Sequence, residues 1–336
     1  MATREIGNEG ALVEKAEPPD VLVISKFLYQ TSATPNSPAA DDMIVQWTGL
    51  ADQFKSQGAK IVLDCCENPF IDNLPPGSTL ANAARFLEVV RSLVDVVVTN
   101  SEMMANHLRP RFAAPIRVIP DPVEGLAGMP KFLNRRPVRM VWFGHVTNYD
   151  YLKPWINELW SYSQRSSMQL TLVTSPDSIA QDVLNENTIK QLNAQTQPKL
   201  MFKLRPWSLE GVRENLEHAD LVFIPSDPSN PRKNGASSNR LATALWLGRF
   251  PIASPVDSYR EFGDYCWVGS NLVEGIDWAL THPDEVLERL QAAIPVIESR
   301  LSVQAVGDCW LRLFSDLRSA PASDQNGANP TLGVSC

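Results

Sequence analysis

No CxxC pair, no HxxxH or HExxH spacing and no uninterrupted apolar stretch near the roughly 18 residues of a membrane span occurs in this 336-residue sequence. The five cysteines are odd in number, and two of them, Cys65 and Cys66, are adjacent. This pattern fits a reduced chain rather than a disulfide framework, and the scattered histidines exclude a structural zinc motif. A positive excess is also missing. The formal net charge is −8, which argues against nucleic acid as the main partner. The first twenty residues hold no apolar run of the signal-peptide kind, so a soluble cytoplasmic protein is expected, with peripheral contact at a membrane surface left open.

What is present is ordinary globular composition, 44% hydrophobic and 20% charged, in a chain long enough for two domains. Short β-branched runs alternate with longer helical patterns, the signature of βαβ units and parallel sheets. Residues 1–20 and 319–336 are small, polar and Gly/Pro-bearing, and are expected to be flexible ends. Strands are expected at Val21–Ile24, Ile61–Asp64, Val94–Thr99 and Ile116–Ile119, with helices between them at 43–57, 80–93 and 101–108. A Gly- and Pro-bearing stretch from about Glu124 to Arg136, EGLAGMPKFLNRR, then reads as a linker, with the boundary between domains taken over 126–136. The alternation restarts at Val138 with VRMVWF, LTLVT, KLMFKL, LVFIP and FPIAS, each followed by a loop or helix. The expected architecture is α/β with two Rossmann-like domains, 21–125 and 137–318, their parallel sheets facing across a cleft. Ligands of open α/β sheets bind beyond the carboxyl ends of the strands, so the loops after strands are where chemistry is sought.

The segment Pro231 to Arg240 (PRKNGASSNR) brings a glycine, hydroxyls and cations to the start of a helix. Free N–H groups and the positive dipole end at such a start favour a diphosphate. Gly235 permits close backbone approach, Ser237, Ser238 and Asn239 offer donors, and Lys233 and Arg240 offer charge. The alternative is that Ser238 simply caps the helix and the cations are solvated. Gly144 and His145, at the end of VRMVWF, suit a turn near phosphate or an ordinary turn; Lys153 nearby fits a phosphate contact or, better, a solvated cation. Arg205 and Trp207, after KLMFKL, fit contact with a nucleotide base or sugar, or packing over the sheet end. Asp64 and Glu67, after the second strand, are candidates for the base that deprotonates an acceptor hydroxyl, although either also fits a loop-ordering role. Glu261 is a candidate donor contact or the start of a solvent-facing helix.

Three segments, in order, resemble the two-domain (GT-B) glycosyltransferases, particularly those of the family-4 type. They are Ala219 to Ser226 (ADLVFIPS), Asn239 to Ser254 (NRLATALWLGRFPIAS), and Val96 to Glu102 (VVVTNSE) with Val118 to Asp121 (VIPD) downstream. The resemblance spans roughly residues 94 to 260. It implies transfer of a sugar from a nucleotide-sugar donor to a carbohydrate or lipid-linked acceptor, as in the assembly of a surface polysaccharide or glycan, with no organic cofactor and no bound metal. The family places one Glu at the opening of the long loop and a second just before its "AL". Here those positions are Gly235 and Thr243. The departure keeps open a non-catalytic nucleotide-sugar-binding module, and the fold also serves nucleotide-sugar epimerases.

Overall fold

The computed structural model describes residues 19–25, 38–66, 70, 79–176 and 184–319, side chains excepted at 38–40, 79, 80, 231 and 232. The expected flexible ends lie outside these residues but for a few positions, as does Glu67. The chain divides into two compact units, Met1–Ile119 with Gly307–Cys336, and Pro120–Val306.

The first unit is built on four parallel strands, β1 (Val21–Ser25), β2 (Lys60–Asp64), β3 (Val96–Thr99) and β4 (Ile116–Val118), in the order β1-β2-β3-β4. Helices α1 (Pro38–Ser56), α2 (Thr79–Val90) and α3 (Glu102–Leu108) link them. Their apolar stripes bury Phe54, Phe86, Leu87 and Met104 against Ile61 and Leu63 of β2. The helix α1 stops at Gly58, whose φ of +97° is open to glycine at no steric cost. Lys55, at its end, ties back to Asp95 at 3.1 Å and to the Leu93 carbonyl at 2.6 Å. Ser101 caps α3 as its sequence position suggests, its Oγ accepting from Met104 N at 3.2 Å.

The second unit holds six parallel strands: β5 (Val138–Phe143), β6 (Met168–Thr174), β7 (Leu200–Pro206), β8 (Leu221–Ile224), β9 (Phe250–Ala253) and β10 (Trp267–Val268). Their order is β10-β9-β8-β5-β6-β7. The chain therefore starts at the middle of the sheet, steps outward to β7, returns to lay β8 against β5, and continues to the other edge. This is the Rossmann order, with its topological switch point between β5 and β8. Every residue of β8 and β9 is buried, as strands covered on both faces require. On the β7 edge, the Asn193 amide accepts from Phe202 N at 2.7 Å and donates to Phe202 O at 3.0 Å, closing backbone groups that an edge strand otherwise exposes.

Ten helices of the described residues complete the fold: α4 (Tyr149–Leu152), α5 (Ile156–Ser163), α6 (Glu186–Thr196), α7 (Leu209–Glu217), α8 (Pro231–Asn234), α9 (Asn239–Trp246), α10 (Asp257–Arg260), α11 (Leu272–Thr281), α12 (Pro283–Leu301) and α13 (Val303–Ser319). The last begins in the second unit and ends in the first. The two-residue strand β10 is absent from the sequence expectation, because so short a run carries no periodicity.

The Gly/Pro-bearing segment expected to be a linker belongs to the second unit, where it straps the end of α9. Gly128 N donates to Trp246 O at 2.8 Å, Lys131 N to Gly248 O at 3.2 Å, and Trp246 Nε1 to Gly125 O at 3.1 Å. The glycines are approach points: a Cβ on Gly128 would lie 2.3 Å from Leu247 O, and one on Gly248 2.5 Å from Met129 O. Arg249 sits beneath, 3% exposed, and donates to the carbonyls of Leu216, Glu217, Met129, Leu247 and Gly248. Burial pulls its pKa below the usual guanidinium value and pushes the fully buried Asp220 carboxyl up, the latter opposed by the Arg139 N–H.

Candidate functional site

The switch point gathers the loop after β5 and the loop after β8. The backbone turns at Gly144 with φ +151°, and a Cβ there would lie 3.4 Å from Asn148 Nδ2 and 3.5 Å from Arg240 Nη1. Any side chain would thus fill the space between the turn and the Arg240 guanidinium, whereas glycine leaves it open. Arg240, on the first turn of α9, donates through Nη2 to Tyr259 Oη at 3.3 Å. Its Nη1 is buried and has no hydrogen-bond partner among the described residues. A buried charged donor left unmade costs more than a neutral one, which makes this atom a place prepared for an anion.

Lys233 reaches across the same switch point. Its Nζ donates to Asn148 Oδ1 at 2.7 Å and lies 5.4 Å from the centre of the Tyr151 ring. Asn230, at the start of the same loop, donates to Tyr151 Oη at 3.3 Å. Asn234 and Asp257 hold the loop from the β9 side: Asn234 Nδ2 donates to Asp257 Oδ2 at 2.6 Å, and Asp257 N to Asn234 Oδ1 at 2.7 Å. Gly235 is buried behind this pair. Four residues that sequence reasoning left unassigned, Asn148, Tyr151, Asp257 and Tyr259, therefore shape the loop. They sit on other strand ends, so only the sheet order brings them together.

The start of α9 differs from a plain capped helix. Ser238 makes no side-chain cap bond, because its backbone (φ −78°, ψ 10°) has already turned towards helix. Ser237 Oγ instead accepts from Asn239 N at 3.2 Å. His145 commits Nδ1 to Thr147, accepting from its N–H at 3.3 Å, so its proton belongs on Nε2 in that arrangement.

The remaining candidates lie apart from this cluster. Lys153 pairs with Asp150 at 2.7 Å and is solvated, as expected. Trp207 is 46% exposed at the end of β7, and Arg205 lines a hollow on the sheet face. Glu261 pairs with Arg300 at 2.6 Å, so the carboxylate that touches the loop is Asp257 rather than Glu261. In the first unit, Asp64 ends β2 and accepts from Ser25 Oγ at 2.7 Å. Beside it at the end of β3, Thr99 Oγ1 and Asn100 Oδ1 are buried without partners among the described residues. Among the described residues, no group of three or more His, Cys, Asp or Glu is arranged to hold a metal ion, and no helix is long and apolar enough to cross a membrane.

No family model matches the sequence, and no curated protein matches it. Solved structures do. Anabaena HepE in complex with UDP and glucose is 11% identical, with TM-score 0.59 over 82% of this chain and 75% of that one. A glycosyltransferase from Rickettsia africae is 12% identical, with TM-score 0.59 over 87% and 85%. TarM is 12% identical, with TM-score 0.55 over 77% of this chain and 51% of that one, so the chain spans about half of TarM's length. Two parallel α/β sheets, the second in Rossmann order, and these likenesses establish that the chain has the GT-B fold.

Proposed function

We propose that this protein transfers a sugar from a nucleoside-diphosphate sugar to a hydroxyl acceptor. The observation that carries the reading is the buried, unpartnered Nη1 of Arg240 facing Gly144 at the switch point of the second sheet. Arg240, Lys233, His145 and the first-turn N–H groups of α9 would hold the diphosphate, with the Ser237 and Ser238 hydroxyls beside it. In the reaction, the bond between the anomeric carbon and the diphosphate oxygen breaks, and a bond from that carbon to the acceptor oxygen forms. The acceptor's proton passes to Asp64 or Glu67, and the departing diphosphate carries the charge that the two cations are placed to meet. The reading requires no metal ion. UDP-glucose is the first donor to test, since UDP and glucose occupy the similar HepE structure. Trp207 and Arg205 would complete the base or sugar contact if the β7 end approaches the donor. The reading takes the reaction to be cytoplasmic and the acceptor to be a carbohydrate or a lipid-linked glycan, as the family resemblance implies.

The replacement of the family's two acids by Gly235 and Thr243 favours a second reading, a binding module without turnover. Slow hydrolysis of UDP-glucose separates the two, because a transferase without acceptor leaks donor to water and a pure binder does not. Asp64→Asn and Glu67→Gln extend the test. One of them should keep UDP affinity and lose roughly 10²–10⁴-fold in turnover. Hydrolysis absent across a panel of nucleotide-sugars that bind would leave only the module.

A further inference from the structure

A second polar feature of the sheet lies apart from the cluster at Gly144, Lys233 and Arg240 and shares only Arg205 with the donor contacts proposed above. It is a hollow of about 230 Å³ on the face of β5, β6 and β7, beside α7. Side chains two apart along a strand share a face. The register sets Arg139 beside Gln169, and Val141, Thr171 and Lys203 in one row; Arg205 follows Lys203 on the same face. Asn215 and His218, from α7 and the turn after it, close the wall. Parallel sheets normally bury both faces in apolar contacts, so this concentration of polar groups within the sheet is unusual.

The charges on the wall are of one sign. Arg139, Lys203 and Arg205 line the hollow and no carboxylate does, in a chain whose net charge is −8. Among the described residues none of the three forms an ion pair, and the side chains of Arg139 and Lys203 make no hydrogen bond. Arg205 spends one N–H on the Leu204 carbonyl at 3.0 Å. Asp220, which accepts the Arg139 backbone N–H at 2.9 Å, is fully buried and does not line the hollow. Asn215 Nδ2 already donates to the Gly211 carbonyl at 2.7 Å and Gln169 Nε2 to Thr171 Oγ1 at 3.5 Å, so the cations are what the concave wall offers, and they match an oxyanion with several acceptor atoms.

We propose that this hollow binds a phosphate group, separately from the site at Gly144, Lys233 and Arg240. The phosphate belongs either to a soluble phosphate ester or to a lipid headgroup, and the hollow recognises what the two share. The proposal does not depend on the donor reading, since no residue of that cluster lines the hollow.

The test is calorimetric titration of inorganic pyrophosphate into the full chain with and without saturating UDP. A binding event that UDP does not displace is expected. Lys203→Ala and Arg139→Gln should each weaken that event roughly tenfold or more, the usual loss for one charge-assisted contact. Lys203→Gln, nearer in length, serves if the alanine variant folds poorly. Sedimentation with phosphatidylcholine vesicles containing phosphatidic acid then separates the sources. Lys203-dependent binding to these vesicles, and not to pure phosphatidylcholine, identifies a lipid phosphate; pyrophosphate binding alone identifies a soluble ester. No pyrophosphate event beyond the UDP-displaceable one together with no vesicle binding, or events indifferent to Lys203 and Arg139 alike, would overturn the proposal.

Discussion

Residues 124–136 and residues 225–240 are alike in composition, each mixing glycine, proline, asparagine and cations between regular elements, and the second unit uses them in opposite ways. The first segment is bonded to the end of α9 through backbone groups, with Arg249 beneath it spread over five carbonyls. The second is held at Asn234 and Lys233 by side chains from other strand ends, and it leaves a charged donor unmade at Arg240. Glycine in the strap admits a neighbouring backbone; glycine at 144 admits space. A loop that satisfies its partners is structure, whereas one that leaves a buried charge waiting is arranged for a ligand.

Substitutions that act on one loop and spare the other sharpen this contrast. The largest effect belongs to the strap. Gly248→Ala places a Cβ against Met129 O at a φ of +67° and should lower unfolding free energy by roughly 2–4 kcal/mol, read by denaturant titration. UDP affinity below the transition should stay as in the wild type. If Gly248→Ala melts normally, the strap is not the clamp described.

Asn234→Ala comes next. It removes both bonds to Asp257, so it should cost about 1–2 kcal/mol of stability and also weaken UDP several-fold through a loosened Lys233. Loss of stability with unaltered affinity would separate the loop's anchor from its function. The smallest effect is at Ser238. With no side-chain cap to lose, Ser238→Ala should change apo stability by less than about 0.5 kcal/mol, against about 1 kcal/mol for a true cap. Any loss seen in that variant should be confined to nucleotide binding.

Much of the fold was legible because buried parallel strands advertise themselves. LVFIP is a continuous apolar run, VRMVWF and LTLVT are apolar runs broken only by Arg139, Thr171 and Thr174, and the α9 helix is bracketed by SSN and Gly248. The strap was not legible, since a glycine that admits a carbonyl at close range reads the same as one that confers flexibility. The site was half legible. Lys233, Arg240 and Gly144 announce themselves by residue type next to a helix start and a strand end. Asp257 and Tyr259 do not, because nothing local ties them to a loop some twenty residues earlier; only the β8–β9 pairing does. The absent cap at Ser238 depends on a backbone torsion that residue identity leaves open.

On the proposed reading, the atom left unpartnered at Arg240 is there for a diphosphate. Calorimetric titration of UDP into the wild type and Arg240→Ala, with melting curves of both apo proteins, tests it most directly. The account predicts a tenfold to hundredfold loss of affinity, roughly the 1.5–3 kcal/mol of one charge-assisted contact. Apo stability should change by less than about 1 kcal/mol, because removal of the buried unmade donor offsets loss of the Nη2 bond to Tyr259 Oη. Wild-type affinity in Arg240→Ala would contradict the account and move the diphosphate elsewhere.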